Sequence, residues 1–191
     1  MTTGAVFDAD LAYGGGSGCG ALVAWYAGGA SVRLRALDAS GAPIGAERTY
    51  PLPEDRLVNV GVAALGTGFV LVYGAADSTA SIRYRRLDAT GAPTGAEQTL
   101  ADMWARELEV VEDGANAWVG WRGPAPGTSI PGGLPDHLFV QSISASAIAG
   151  PLVHIATSRS DLRRIVGTGN AGVAVTEQEG PEVNDIFAIP F

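Results

Sequence analysis

The stretch "LDASGAPIGAE", from Leu37 to Glu47, returns fifty residues later as "LDATGAPTGAE", from Leu87 to Glu97, with nine of eleven positions identical. A repeat of this period constrains the fold more than any other feature, because each copy must bury its apolar face against the next. The pair extends outward to "SVRLRALDASGAPIGAERTYPL" from Ser31 and "SIRYRRLDATGAPTGAEQTLAD" from Ser81. Two fainter copies follow, "HLFVQSISASAIAGPLVHIAT" from His137 and "NDIFAIPF" from Asn184.

Each copy is preceded by an apolar run: "ALVAWY" from Ala21, "FVLVYG" from Phe69, "AWVGWR" from Ala117 and "GVAVTE" from Gly172. Ahead of these stand "VFDADLAY", "RLVNVGVAAL", "RELEVVED" and "DLRRIVGT", each followed by a glycine-bearing turn. A further segment, "AERTYPL", "AEQTLAD" or "PLVHIAT", closes three of the units. Short apolar or alternating runs between turn residues predict four strands per unit. "DMWARELEVV", from Asp102, has the composition of a helix, but it falls where the repeat demands a loop and then a strand.

Four antiparallel strands in units of roughly forty to fifty residues match the period of a propeller blade. "RLDATGAP" and its partners resemble the repeats of bacterial β-propellers, and four units in 191 residues resemble hemopexin-like four-bladed domains in size. The terminal cysteines that tie a hemopexin ring are absent, so the resemblance carries over no functional residue. It implies a single all-β domain, a four-bladed β-propeller with four-stranded antiparallel blades near 8–52, 56–102, 106–157 and 160–191. The ring is expected to close when an N-terminal strand, Thr3 to Phe7, pairs beside Asp185 to Phe191, which removes an exposed sheet edge. A monomer is then expected, or a dimer if two incomplete rings associate.

Composition limits the partners. The net charge is −8, all twelve basic residues are arginine, and phosphate-rich surfaces would repel such a chain, so nucleic acid and membrane insertion are not expected. Without lysine there is no Schiff-base or P-loop chemistry. Cys19 is the single cysteine, so no intrachain disulfide forms, and a small buried thiol is its expected role. No run approaches the ~20 apolar residues of a membrane span, and "MTTGAVFDAD" lacks the features of a signal peptide. The chain is therefore expected to be soluble, its compartment left open. No metal set or cofactor motif is recognised from spacing.

The repeated motif has a local explanation. Asp38 and Asp88 are placed to accept backbone amides in an Asx-type turn, Gly41 and Gly91 fall where φ must be positive, and Pro43 and Pro93 end one ladder before the next strand. One carboxylate does not make a calcium loop. Function is expected instead where the copies disagree. The third unit swells to "GPAPGTSIPGGLPDH" from Gly123 to His137, with four prolines and four glycines, and long loops on repeat scaffolds carry binding residues. Trp25, Tyr73, Trp121, Arg122, Asp136 and His137 are the candidate ligand-binding residues. The aromatic residues among them, with Tyr26 and Trp118, either pack between blades or form a platform for a carbohydrate or apolar ligand.

Asp8 and Asp10 share one strand face and can work as a carboxylate pair, or be satisfied by amides, and no second acidic pair is expected to align with them. These features favour a non-catalytic binding or interaction module. Its protein or carbohydrate ligand would sit at the channel mouth or on the long-loop face. A lectin and a propeller lyase or hydrolase are the alternatives.

Overall fold

The computed structural model describes residues 8–14, 20–26, 31–52, 57–75, 81–105, 107–124, 137–146, 148–157, 160–168, 171–179 and 184–190. Cys19, Asp136, the Thr3 to Phe7 segment and most of the 123–137 loop lie outside them. The described chain is all-β, and no helix occurs in it. Fifteen strands follow the expected segments closely. The first sheet holds β1 (Asp8–Tyr13), β2 (Ala21–Tyr26), β3 (Ser31–Leu37) and β4 (Pro43–Pro51). The second holds β5 (Leu57–Leu65), β6 (Gly68–Ala75), β7 (Ser81–Leu87) and β8 (Gln98–Ala101). The third holds β9 (Glu107–Glu112), β10 (Asn116–Gly123), β11 (His137–Ser144) and β12 (Val153–Thr157). β13 (Ser160–Thr168), β14 (Ala171–Glu179) and β15 (Asn184–Pro190) form a fourth sheet of three strands.

Each sheet is an antiparallel meander in chain order. The sequence explains the strands by its alternation. In β3, Val32, Leu34 and Ala36 are buried while Arg33 and Arg35 are partly exposed, the period of two that an extended chain requires. β6 breaks that rule, with Phe69, Val70, Leu71, Val72 and Tyr73 all fully buried. Its sheet is covered on both faces, and a strand in that position reads as a continuous apolar run.

The faces stack in series. One core joins Leu22, Ala24, Val32, Leu34 and Tyr50 of the first sheet to Phe69, Leu71 and Tyr73 of the second. The next joins Val70, Val72, Ile82 and Tyr84 to Val119, Trp121 and Phe139 of the third. A smaller cluster, Trp118, Leu138 and Val140, occupies the far face of that third sheet. The leading strands also adjoin in order, β1 against β5, β5 against β9 and β9 against β13. Between β5 and β9 a glycine makes this possible. A Cβ on Gly61 would lie 2.4 Å from Val110 Cγ2, so no larger residue fits without displacing that side chain.

The β1–β5 junction is built from carboxylates. Asp8 Oδ2 accepts from the Val60 amide at 2.6 Å, and Asp10 Oδ2 accepts from the Val62 amide at 2.8 Å. Their other oxygens accept from the amides of Ala9 and Leu11. The pair thus satisfies backbone donors on β5, a strand whose sheet partner is β6 on its other side. Of the two uses the sequence leaves open, amide satisfaction is the one found. The register corrects a second expectation. Asp8 and Asp10 stand opposite Tyr26 and Ala24, and Glu107 and Glu109 stand opposite Arg122 and Gly120 at the corresponding places in the third sheet. An acidic pair does recur, hidden in sequence because the turn after β9 is shorter than the turn after β1.

Candidate functional site

The repeated motif is a turn, built almost atom for atom twice. Asp38 Oδ1 accepts from the amides of Ser40 and Ala42 at 2.8 and 2.9 Å and from Ser40 Oγ at 2.6 Å. Asp88 Oδ1 accepts from Thr90 and Ala92 amides at 2.8 and 2.9 Å and from Thr90 Oγ1 at 2.7 Å. Gly41 and Gly91 take φ of 81° and 78°, where a side chain would be strained. The hydroxyl and amides hold the Asp38 carboxyl below its ordinary range. Burial alone would raise Asp88, but Thr90 and Ala92, with Arg48 nearby, bring it lower as well. In the third unit Ser144 takes the aspartate's place, and its Oγ accepts from the Ile148 amide at 3.1 Å.

Because the turns correspond, the spaces between them can be compared. At the first junction Arg48 of β4 reaches across to the second sheet, donating from Nε to the Thr90 carbonyl and from a guanidinium nitrogen to Thr90 Oγ1, both at 3.2 Å. At the second junction the residue in Arg48's place is Gln98, opposite Tyr84 as Arg48 is opposite Leu34. Gln98 does not span the gap; its Oε1 accepts from the Tyr84 hydroxyl at 2.6 Å. The space left is a cleft of about 480 Å³ lined by Thr67, Tyr84, Arg86, Asp88, Thr94 and Gln98, with Ser146 contributed by the third sheet. It lies beside the motif turns, whereas the sequence favoured the opposite, long-loop face.

Arg86 is the distinctive group in the cleft. It occupies the place of Ala36 in the first unit, and its guanidinium makes no hydrogen bond or ion pair among the described residues. The Gln98 side chain, with its oxygen held by Tyr84, keeps two amide N–H donors. Thr67, Thr94 and Ser146 add hydroxyls. The single carboxylate, Asp88, has one oxygen filled by its own turn. The wall is therefore rich in donors, a chemistry that recognises carboxylate and hydroxyl oxygens.

The residues singled out from sequence are placed elsewhere. Trp25, Tyr73 and Trp121 do hold equivalent strand positions, opposite Arg33, Arg83 and Phe139. Tyr73 and Trp121 are both 0% exposed, the burial expected of the first of the two uses, packing between sheets. Each fills the core against the preceding sheet: Trp121 Nε1 donates to Met103 Sδ at 3.0 Å, and the Tyr73 hydroxyl donates to Glu97. Burial and that carboxylate push the Tyr73 hydroxyl pKa far upward. Trp25, on the face of the first sheet turned from the second, is half-buried.

Arg122 pairs with Glu107 at 3.3 Å, as Arg33 pairs with Glu47 and Arg83 with Glu97. His137 does not approach the cleft; it meets His154 and Phe139, and through Phe139 it is linked to Trp121. Asp136 is outside the described residues. The sequence signal for the cleft was present in the repeat itself, in the change from "RALDASGAP" to "RRLDATGAP". No family model and no curated protein matches the chain.

Proposed function

We propose that the chain is a four-bladed β-propeller acting as a non-catalytic binding module, and that its cleft takes a small polyhydroxylated molecule bearing one carboxylate, an acidic sugar being the simplest. The observation that carries this reading is Arg86, a guanidinium without a hydrogen-bond partner among the described residues, in a donor-lined space of about 480 Å³. That volume is within the ordinary range for small-ligand sites. A net charge of −8 disfavours polyanions, so one carboxylate is preferred to several. Catalysis is disfavoured because the cleft's carboxylate is committed to its turn, below its ordinary pKa.

Calorimetric titration with D-galacturonate and with D-galactose tests the site. The acid should bind at least tenfold more tightly than the neutral sugar, and Arg86→Gln should abolish the difference, since charged hydrogen bonds are worth about 1.5–3 kcal/mol. Equal affinity for the two sugars, or an unchanged preference in the variant, rejects it. The propeller is supported by the serial stacking of the sheets and by their adjoining leading strands. Among the described residues β15 is the last strand of a three-stranded sheet, the place to which the sequence assigns Thr3 to Phe7. Deleting residues 1–7 should lower the melting temperature sharply; an unchanged melt would reject the closed ring.

A further inference from the structure

His137 and His154 are seventeen residues apart, at no spacing that suggests a site, and strand pairing brings them together. Phe139 stands opposite His154, and His137 lies two residues before Phe139 on the same face of β11. The ladder slips between Leu138 and Phe139, so that Ile155 is bulged out of register and the edge strand bends locally. His137 Nδ1 and His154 Nε2 then face each other at 2.9 Å. Their rings tilt at 41° with centroids 4.9 Å apart. Phe139 stacks on both, at 6.0 and 5.1 Å, and is itself stacked on the buried Trp121. A rigid aromatic row thus fixes two imidazoles, His154 exposed and His137 half-exposed, with two nitrogens converging.

We propose that His137 and His154 form a two-imidazole site for a divalent transition metal of tetragonal preference, Cu(II) foremost. Metal–imidazole bonds are about 2.0–2.1 Å. Two such bonds at a right angle place the nitrogens about 2.9 Å apart, whereas a tetrahedral angle needs about 3.4 Å. The spacing found, that of a hydrogen bond between the rings, also matches cis ligands in a square-planar or tetragonal site, the geometry of Cu(II) and Ni(II), and imidazole is a preferred ligand for both. Water fills the remaining positions. The acidic chain attracts cations, and the Phe139 stack limits the rotamer entropy lost on binding. Neither histidine lines the cleft, so the site is independent of the proposed ligand.

The test is a titration of the metal-free full chain with Cu(II) at pH 7.4, followed by d–d absorption and electron paramagnetic resonance. One equivalent should bind with superhyperfine splitting from two nitrogens, and Zn(II) should bind at least tenfold more weakly. His137→Gln and His154→Gln should each lose one nitrogen coupling and at least tenfold in affinity, with unchanged circular dichroism. A spectrum without two nitrogen couplings in the wild type, or wild-type Cu(II) affinity retained in both folded variants, would overturn the site and leave the pair as a hydrogen bond.

Discussion

Asp10 carries two opposing effects, and two substitutions separate them. Its Oδ2 is the acceptor for the Val62 amide on β5, and burial, with a smaller contribution from the repulsion of Asp8, raises its pKa against that bond and the neighbouring Leu11 amide. Asp10→Ala removes the acceptor and leaves a donor at the β1–β5 junction unpaired. The cost of such an orphan is about 1–3 kcal/mol. For a chain of this length each kcal/mol moves the melting temperature by about 2–4 °C, so a loss of about 2 kcal/mol lowers it by about 4–8 °C.

Asp10→Asn keeps an oxygen for Val62 and has no charge to desolvate, so it should match or exceed the wild type at pH 7. The pH dependence has a definite sign. Below the unfolded value of about 3.9 the wild-type carboxyl is protonated in both states and carries no penalty. As pH rises through the raised folded value, the native state must ionise a disfavoured group and loses stability. The advantage of the asparagine variant over the wild type should therefore grow as pH rises from about 3.5 to 7. Urea unfolding at both pH values measures it. If the asparagine variant is as unstable as the alanine variant, or if its relative stability falls with pH, the account of Asp10 is wrong.

Other consequences follow from the turns. A Cβ on Gly68 would stand 2.2 Å from the Leu87 carbonyl oxygen, so Gly68→Ala should cost about 1–3 kcal/mol by forcing backbone apart. Gly95→Ala, with open space and no positive φ, is the control and should be nearly neutral in the same denaturant titration. Asp38 and Asp88 have lowered folded pKa values, so the stability they contribute is present above the unfolded value and is lost as pH falls through the folded one. A double alanine variant should show a shallower loss of stability below about pH 4; an acid limb as steep as the wild type's would exclude these turns as its source.

Much of the fold was legible because its cause is local. Val32, Leu34 and Ala36 alternate with arginines, glycine and proline punctuate the runs, and the two motif copies carry the same Asx-bonded turn, so strands and turns could be placed within a few residues. β6 could be recognised as a strand but not as one covered on both faces, since that depends on which sheets stack against it. The long loop drew the expectation toward Trp121, and the equivalent aromatic strand positions drew it toward Tyr73; both lie in the core. An aromatic residue in a strand has the same letter whether its ring meets a ligand or the next sheet.

The sequence alone determined the period, the strands and the chemistry of each turn, because hydrogen bonds within a few residues decide them. Tertiary structure decided everything that depends on gaps between units. Arg48 fills the first junction; Gln98, shorter and held by Tyr84, leaves the second open beside Arg86. His137 and His154 meet only because an edge strand slips by one residue. Such distances are set by register and sheet stacking, which sum contacts over many residues, and no short stretch of the chain encodes them.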